Sequence, residues 1–200
     1  MPQPIYFYFD FSSPYGYIAS NKIDALAARY GRTVNWHPIL LGVVMKITGG
    51  AALPSIPLKG DYARHDFARS AKFHGVDYRL PSVFPISSQA PARAFYWFNQ
   101  QDPVRAKALA SALYRAYFVD DINISNPEDT VAVSAKFGLD ADAVRAALND
   151  PAIKEMVKHE VDAALKLGVF GAPYVLVDGE PFWGMDRFDQ LDKWLATGGW

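Results

Sequence analysis

The alternation of hydrophobic and polar positions predicts strands towards both ends of the chain. Residues 5–11 form an aromatic, aliphatic run typical of a buried strand. A serine–proline turn follows, in which Ser13 occupies an N-cap position and Pro14 the first position of a helix. Apolar residues then recur at helical spacing over residues 14–30, and residues 33–39 predict a second strand. This order describes a βαβ unit with two parallel strands.

Helical spacing dominates the middle of the chain, where glycines and prolines first interrupt the pattern after Leu40. Two of the predicted helices begin with an N-cap residue followed by proline, at Asp102 and at Asn126. The predicted helices span residues 62–74, 90–99, 104–119, 127–137 and 141–148. No strand signal separates them, so the pattern indicates a helical insertion.

The last fifty residues return to a mixture of helix and strand. A helix beginning at Asp150 and Pro151 is followed by strands at residues 174–177 and 181–183, joined by an Asp-Gly turn, and by a final helix at residues 186–195. Without the middle, the order is β-α-β then α-β-β-α, which is the thioredoxin arrangement with a four-stranded mixed sheet. We therefore expect an α/β fold, with a thioredoxin-like domain formed by residues 1–40 and 150–200 and a helical domain inserted at residues 41–149.

Composition excludes several classes of function. A net charge of -1 over 200 residues lacks the basic surplus of a nucleic-acid binder. The absence of cysteine excludes disulfides, a thiolate nucleophile in the chain and cysteine-ligated metals, and the four histidines lack ligand spacing, so no metal is expected. Without an apolar span of about 18 residues or a basic, apolar leader, we expect a cytoplasmic protein that does not enter membranes.

Five segments, in order along the chain, carry a resemblance to a known family. They are Y-F-D-F-S-S-P-Y-G-Y, V-M-K-I-T-G-G, I-P-L-K-G-D-Y, V-F-G-A-P-Y and F-W-G-M-D-R-F. Together they resemble the 2-hydroxychromene-2-carboxylate isomerases, which are related to the kappa-class glutathione transferases and to DsbA-like oxidoreductases. The resemblance implies glutathione as cofactor, a small aromatic carboxylate as substrate, a homodimer and a place in aromatic hydrocarbon catabolism.

The resemblance also implies a role for Ser13. Thioredoxin-like enzymes have a cysteine at this position, where the start of a helix favours negative charge. A serine there leaves room for the thiolate of glutathione and can donate a hydrogen bond to it. A charge-assisted hydrogen bond contributes roughly 1.5–3 kcal/mol, which corresponds to about one or two pKa units. The alternative is that Ser13 serves only as an N-cap.

Four further positions match residues that bind glutathione in the family. Lys59 matches the lysine that holds the glycyl carboxylate, and Asp186 the aspartate that pairs with the γ-glutamyl ammonium, although a capping role for Asp186 is equally physical. Ala172 precedes Pro173, which resembles the family's cis-proline, so the backbone of Ala172 could pair with the tripeptide as an added strand does. Met185 stands where the family has a small polar residue, and Gly50 where the transferases have asparagine; both changes remove hydrogen bonds.

The substrate is expected to meet Lys46, which matches a lysine of the isomerases, and Trp183, which could form one wall of a flat pocket. The resemblance thus implies a glutathione-dependent cis-trans isomerase that converts 2-hydroxychromene-2-carboxylate, or a similar ring-cleavage product, to trans-o-hydroxybenzylidenepyruvate through a transient thiolate adduct. Two alternatives stay open: a kappa-like transferase that keeps the thioether, and a non-catalytic glutathione-binding protein.

Overall fold

Four strands form one mixed sheet in a computed structural model that describes residues 3–200. Strand β1 (Ile5–Phe9) lies parallel to β2 (Val34–Pro38) and antiparallel to β3 (Tyr174–Val177), which in turn pairs antiparallel with β4 (Glu180–Trp183). The resulting order is β2-β1-β3-β4. The predicted four-stranded mixed sheet is therefore confirmed, and its two halves come from opposite ends of the chain.

Ten α-helices surround the sheet within the described residues. Two short 3-10 helices, Leu53–Ser55 and Met185–Arg187, precede α4 and α10. The α-helices are α1 (Pro14–Ser20), α2 (Ile23–Ala28), α3 (Leu41–Thr48), α4 (Lys59–Phe73), α5 (Gln89–Asn99), α6 (Pro103–Phe118), α7 (Pro127–Lys136), α8 (Ala141–Asn149), α9 (Pro151–Lys166) and α10 (Phe188–Thr197).

Alternate side chains of the strands face two different hydrophobic clusters. Phe7 and Phe9 of β1 are fully buried on one face, among side chains that include those of α1, α5 and α6. Tyr8 lies on the other face with residues of α9. This two-residue alternation buries both faces of the central strand, which explains why β1 is hydrophobic along almost its whole length.

The helical middle of the chain shares its core with the sheet. Between Leu41 and Asn149 the structure contains helices and loops but no strand. Phe95 of α5 and Tyr114 of α6 pack on Phe9 of β1, with ring centroids 6.0 and 5.6 Å apart. One buried cluster contains residues from both segments. The boundaries of the two expected domains stay a prediction.

Several details differ from the sequence-based expectations. The helix expected over residues 14–30 is broken at Asn21, because the side chains of Ser20 and Asn21 both donate to the carbonyl of Tyr17 and compete with the helical hydrogen bonds there. The pattern missed helix α3, whose sequence L-G-V-V-M-K-I-T is mostly apolar although only Val44 is buried, so its apolar positions do not mark one buried face. The last helix begins at Phe188, after a 3-10 turn, rather than at residue 186.

Among residues 3–200, no helix is long and apolar enough to cross a membrane.

Candidate functional site

Ser13 lies where the end of β1 turns into helix α1. Its backbone N–H donates to the carbonyl of Asp10 at 2.8 Å, and its Oγ accepts from the N–H of Gly16 at 3.0 Å, so the predicted N-cap role is present. The hydroxyl proton is directed elsewhere: Ser13 Oγ donates to the carbonyl of Ala172 at 3.1 Å. Ser13 is only 5% exposed. One side chain thus caps the helix and also contacts the segment that precedes β3.

Gly16 is required for this close packing. A Cβ at Gly16 would lie 2.9 Å from the hydroxyl of Tyr114 and 3.1 Å from Cβ of Ser13. Both distances are shorter than ordinary carbon contacts, so any larger residue would displace the first turn of α1. The S-P-Y-G sequence therefore permits the helix start to sit directly against α6.

Ala172 and Pro173 lie opposite the start of α1, joined by a cis peptide bond. The N–H of Gly184 donates to the carbonyl of Pro173 at 2.9 Å, which links this loop to the end of β4. Trp183 packs over the loop: a Cβ at Gly171 would lie only 2.4 Å from its indole Nε1. Phe170 stacks edge-on against the same indole, with ring centroids 4.8 Å apart. The absence of a side chain at the glycine of V-F-G-A-P-Y thus leaves the space that the indole of Trp183 occupies.

A cavity of about 830 Å³ opens beside this loop. Ala172, Pro173, Trp183 and Asp186, which are four of the predicted site residues, line it. Ser13 contacts the lining residue Ala172 but does not line the cavity itself. The volume of the cavity falls within the range of roughly 300–1,000 Å³ that is typical of small-molecule sites.

Asp186 offers a largely solvated carboxylate to this cavity. Its side chain is 75% exposed, and the nearest cation is Arg187, at 3.9 Å. It lies in the 3-10 turn before α10 and makes no capping hydrogen bond to that helix. Gly184 has a positive φ of 100°, and a Cβ there would lie 2.4 Å from Oδ1 of Asp186. The glycine of F-W-G-M-D thus lets the carboxylate fold back over the turn.

The structure does not bring Lys59 and Lys46 into this cavity. Lys59 is the first residue of α4 and Lys46 lies in the last turn of α3; both are exposed and neither lines the cavity. The start of α4 nevertheless packs closely against the preceding 3-10 turn, since a Cβ at Gly60 would lie 2.5 Å from the carbonyl oxygen of Pro54. The position of the Lys59 backbone therefore depends on this glycine.

The two departures from the family pattern lie in different surroundings. Met185 lines the cavity but is only 6% exposed, and it belongs to the hydrophobic cluster on that face of the sheet. Gly50 is exposed and follows Gly49, which ends α3 in a left-handed conformation. The apolar side chain of Met185 thus gains burial where a polar residue would offer a hydrogen bond.

A hydrogen-bonded pairing that the sequence did not predict connects α1 with α4. The hydroxyl of Tyr15 donates to Oδ2 of Asp66 at 2.5 Å, and Arg69 forms an ion pair with the same carboxylate. Partial burial opposes ionisation of Asp66, but the hydrogen bonds from Tyr15 and Arg69 outweigh it and lower the pKa of Asp66 below its ordinary value. Tyr15 and Asp66 both line the cavity. No motif could have paired these residues, since 51 positions separate them.

Asp10 is a second residue that sequence reasoning did not single out. It is 1% exposed, at the end of the aromatic run, and its carboxylate accepts three hydrogen bonds. Burial raises the pKa of Asp10 above its ordinary value, although the three donors act in the opposite direction. An acidic residue within a hydrophobic strand was the available signal, because a buried carboxylate needs specific partners.

A separate cleft of about 700 Å³ contains none of the predicted site residues. His37 and Glu160 line it, with Nδ1 and Oε2 3.2 Å apart, and the hydrogen bond from His37 lowers the pKa of Glu160. No group of three or more metal-ligating side chains occurs there or elsewhere in residues 3–200.

Comparison with known proteins gives concordant results. The family of DsbA-like thioredoxin domains matches residues 4–196. A 2-hydroxychromene-2-carboxylate isomerase of Sphingobium xenophagum is 33% identical over 201 residues, covering 98% of this chain and 99% of the relative. The solved structure of a 2-hydroxychromene-2-carboxylate isomerase has a TM-score of 0.87 at 29% identity, covering 97% of this chain and 95% of that chain. A kappa 2 glutathione transferase of Caenorhabditis elegans is 26% identical and covers 95% of this chain and 90% of the relative.

Proposed function

Since the chain belongs to the 2-hydroxychromene-2-carboxylate isomerase family of DsbA-like thioredoxin proteins, we propose that it is a glutathione-dependent isomerase of 2-hydroxychromene-2-carboxylate or a similar aromatic ring-cleavage product. The relatives support an isomerase or a glutathione-transferase-like activity. The observation that carries the proposal is the 3.1 Å contact between the Ser13 hydroxyl and the Ala172 carbonyl, beside a cavity of about 830 Å³. The chain has no cysteine, so a reactive sulfur has to come from a bound thiol.

The residues around the cavity fit glutathione chemically. The tripeptide has an ammonium and a carboxylate at its γ-glutamyl end, a second carboxylate at its glycyl end and a thiol between them. The cavity presents the carboxylate of Asp186 and the backbone of Ala172, and its volume is sufficient for a molecule of this size. Bound glutathione would supply a thiolate that adds to a substrate double bond. Rotation about the resulting single bond would follow, and departure of the thiolate would then restore the double bond.

Ser13 stabilises the ionised thiol in this proposal. Its hydroxyl proton, which the Ala172 carbonyl accepts in the structure, turns towards the sulfur, while Oγ continues to accept from Gly16. A charge-assisted hydrogen bond of roughly 1.5–3 kcal/mol favours the thiolate by about one or two pKa units. The N-terminal end of α1 adds partial positive charge on the same side.

The remaining predicted residues hold the two ligands. Asp186 pairs with the γ-glutamyl ammonium, Ala172 and Pro173 align the backbone of the tripeptide, and Lys59 attracts the glycyl carboxylate. Lys46 orients the carboxylate of the substrate, and Trp183 provides an aromatic surface. Because Lys46 and Lys59 are exposed on α3 and α4, their long side chains have to reach towards the bound ligands.

A homodimer in the cytoplasm, acting in aromatic hydrocarbon catabolism, belongs to the same proposal. The partners are then glutathione, a small aromatic carboxylate and a second copy of the chain, with no nucleic acid. Light scattering of the purified protein tests the dimer: a mass of one chain would contradict it.

A product assay tests the isomerase activity. The purified protein should convert the chromene carboxylate to the trans benzylidenepyruvate only when glutathione is added, and glutathione should be recovered unchanged. Conjugation of a chloronitrobenzene without isomerisation would instead support a kappa-like transferase. Calorimetry distinguishes the third possibility: absence of binding heat at millimolar glutathione would contradict both enzymes, and binding without either activity would indicate a non-catalytic protein.

A further inference from the structure

Asp10 is a buried carboxylate for which the proposed reaction has no use. Its Oδ1 accepts from the N–H of Ser12 at 2.6 Å, and its Oδ2 accepts from the N–H of Leu41 at 2.7 Å and from the hydroxyl of Ser88 at 2.8 Å. Ser12 belongs to the turn before α1, Leu41 begins α3 and Ser88 precedes α5. One carboxylate therefore connects three segments that are distant in sequence.

Two of these segments carry predicted site residues. The Ser12 turn leads directly into Ser13, whose N–H also donates to the backbone carbonyl of Asp10. The α3 segment bears Lys46 in its last turn. Further bonds strengthen the arrangement, because the Ser12 hydroxyl accepts from the N–H of Ile86 at 3.1 Å. The geometry at Asp10 thus determines how the start of α1 stands relative to the start of α3.

The surroundings of Asp10 contain hydrogen-bond donors but no ion-pair partner among residues 3–200. On the side of α6, the Tyr114 hydroxyl donates to the Asp10 carbonyl, and the Tyr117 phenol is the other titratable group close enough to sense the charge. The other neighbours are the hydroxyl of Ser88 and the backbone amides of the two turns. A buried carboxylate held only by donors is costly unless every one of its bonds is made.

We propose that Asp10 is a positioning residue of the thiol site, which holds the Ser13 turn and the start of α3 in the relative arrangement that catalysis requires. This inference rests on the proposed function and deepens it. Asp10 does not touch glutathione or substrate; it acts through the backbone amides that its carboxylate accepts from.

The test uses Asp10→Asn, assayed as the full-length protein. Ser12 and Leu41 donate to different oxygens of Asp10, and in asparagine an NH2 group that can only donate replaces one of those oxygens, so one backbone amide loses its partner. We expect kcat/KM to fall about tenfold or more, with KM raised for both glutathione and the chromene carboxylate. Ser88→Ala removes one donor but leaves both backbone bonds, so a smaller loss in the same direction is expected.

Ser134→Ala is the matched control. Ser134 is a fully buried serine whose hydroxyl donates to the Thr130 carbonyl within α7, and it contacts none of the site residues. This variant should lose stability but keep both KM values. If Asp10→Asn shows unchanged KM and kcat, or loses activity only in proportion to stability as Ser134→Ala does, Asp10 has no positioning role.

The pH dependence of kcat/KM adds a measurement that a loss of stability alone would not change. The carboxylate accepts from all its donors best when ionised, so wild-type kcat/KM should decline on the acidic side as Asp10 becomes protonated. The low activity of Asp10→Asn should lack that decline. An acidic limb shared by both proteins would contradict the inference.

Failure of the proposed function is distinguishable from failure of this inference. If the wild-type protein neither binds glutathione nor isomerises the substrate, the proposed function is wrong. Amide hydrogen exchange then decides the role of Asp10: exchange at Ser12 and Leu41, whose N–H groups donate to its carboxylate, should be faster in Asp10→Asn but not in Ser134→Ala. Equal exchange in all three proteins would overturn the positioning role.

Discussion

Ser13 has one hydroxyl proton, for which the sulfur of glutathione would compete with the Ala172 carbonyl in the proposed function. In the structure the proton is donated to the Ala172 carbonyl, while the oxygen accepts from Gly16. A thiolate is a charged acceptor, and hydrogen bonds to charged groups are roughly twice as strong as neutral ones. The Ser13 O–H is therefore expected to turn towards a bound sulfur and donate a hydrogen bond to it, while Oγ still accepts from Gly16 and caps the helix.

Ser13→Ala should abolish this stabilisation. We expect kcat/KM to fall about tenfold to a hundredfold and the pH at which the thiol ionises to rise by about one or two units, since the thiolate loses its hydrogen-bond donor. The lost cap costs about 1 kcal/mol of stability. The change is measured from the pH dependence of turnover.

The control for this prediction is Ser20→Ala. Ser20 lies at the other end of α1 and is buried, with its hydroxyl donating to the Tyr17 carbonyl. It should show near wild-type turnover. A Ser13→Ala protein with an unchanged pH profile would remove the role of Ser13 as donor and leave only its role as N-cap.

Asp186 should contribute to glutathione affinity rather than to the chemical step. Asp186→Asn is expected to raise KM for glutathione several-fold, with kcat nearly unchanged, because a largely exposed charge pair contributes about 1 kcal/mol or less. Calorimetry with glutathione measures the change in affinity, and steady-state kinetics measure KM and kcat. Glu180→Gln, at another carboxylate of the same cavity, is the control, and an equal effect there would mean that only the overall charge matters.

At the scale of elements, small residues determine how closely the segments of the site approach one another. A Cβ at Gly16 would press on Tyr114, one at Gly171 on Trp183, and one at Gly60 on the carbonyl of Pro54. The backbone contact is the most severe of these, since a carbonyl in a 3-10 turn cannot move as the end of a side chain can. The start of α4, where Lys59 stands, is the element most dependent on a glycine.

Gly60→Ala should displace the start of α4. A Cβ 2.5 Å from the Pro54 oxygen forces a backbone shift, for which we expect a loss of about 1–3 kcal/mol in unfolding free energy and weaker glutathione binding. Gly42→Ala in α3 is the matched control, because a Cβ there meets nothing within 4 Å. Equal stability of the two variants in denaturant unfolding would contradict the account.

At the scale of the whole molecule, ionisable groups connect the sheet to the helices that cover it. His37 of β2 donates to Glu160 of α9, and this lowers the pKa of Glu160 below its ordinary value of 4.5. A carboxyl whose pKa is lowered by folding stabilises the protein above its unfolded pKa, and that stability is lost as the pH falls through the folded value.

Glu160→Gln should therefore flatten the acid dependence of stability. The variant is expected to be less stable than wild type near neutral pH, and the difference should diminish as the pH falls below about 4.5. Urea unfolding at several pH values measures this. Glu155→Gln, at a neighbouring position of α9 that lines the same cleft, is the control, and a pH-independent difference for Glu160→Gln would show that the His37 contact is not the cause.

The sequence by itself determined most of the helices and strands and their succession along the chain, because hydrophobic periodicity and turn residues act over a few positions. Short motifs that resemble those of the family also predicted Ser13, Ala172, Pro173, Trp183 and Asp186 as site residues. The last four line one cavity and Ser13 contacts its wall, whereas Lys46 and Lys59, predicted in the same way, do not line it. The sequence did not predict the break at Asn21, because that break depends on competing side-chain hydrogen bonds. It did not predict helix α3, because only one residue of that mostly apolar segment is buried.

Only the tertiary structure decided which distant groups meet. Asp10 contacts Leu41 and Ser88, and Tyr15 contacts Asp66, across separations of 31, 78 and 51 positions. Such pairs leave no local pattern, since a buried carboxylate can be satisfied by any donor that the fold delivers. The Ser13 turn is therefore encoded locally in the sequence, whereas the contacts that hold it in place follow from the packing of helices around the sheet.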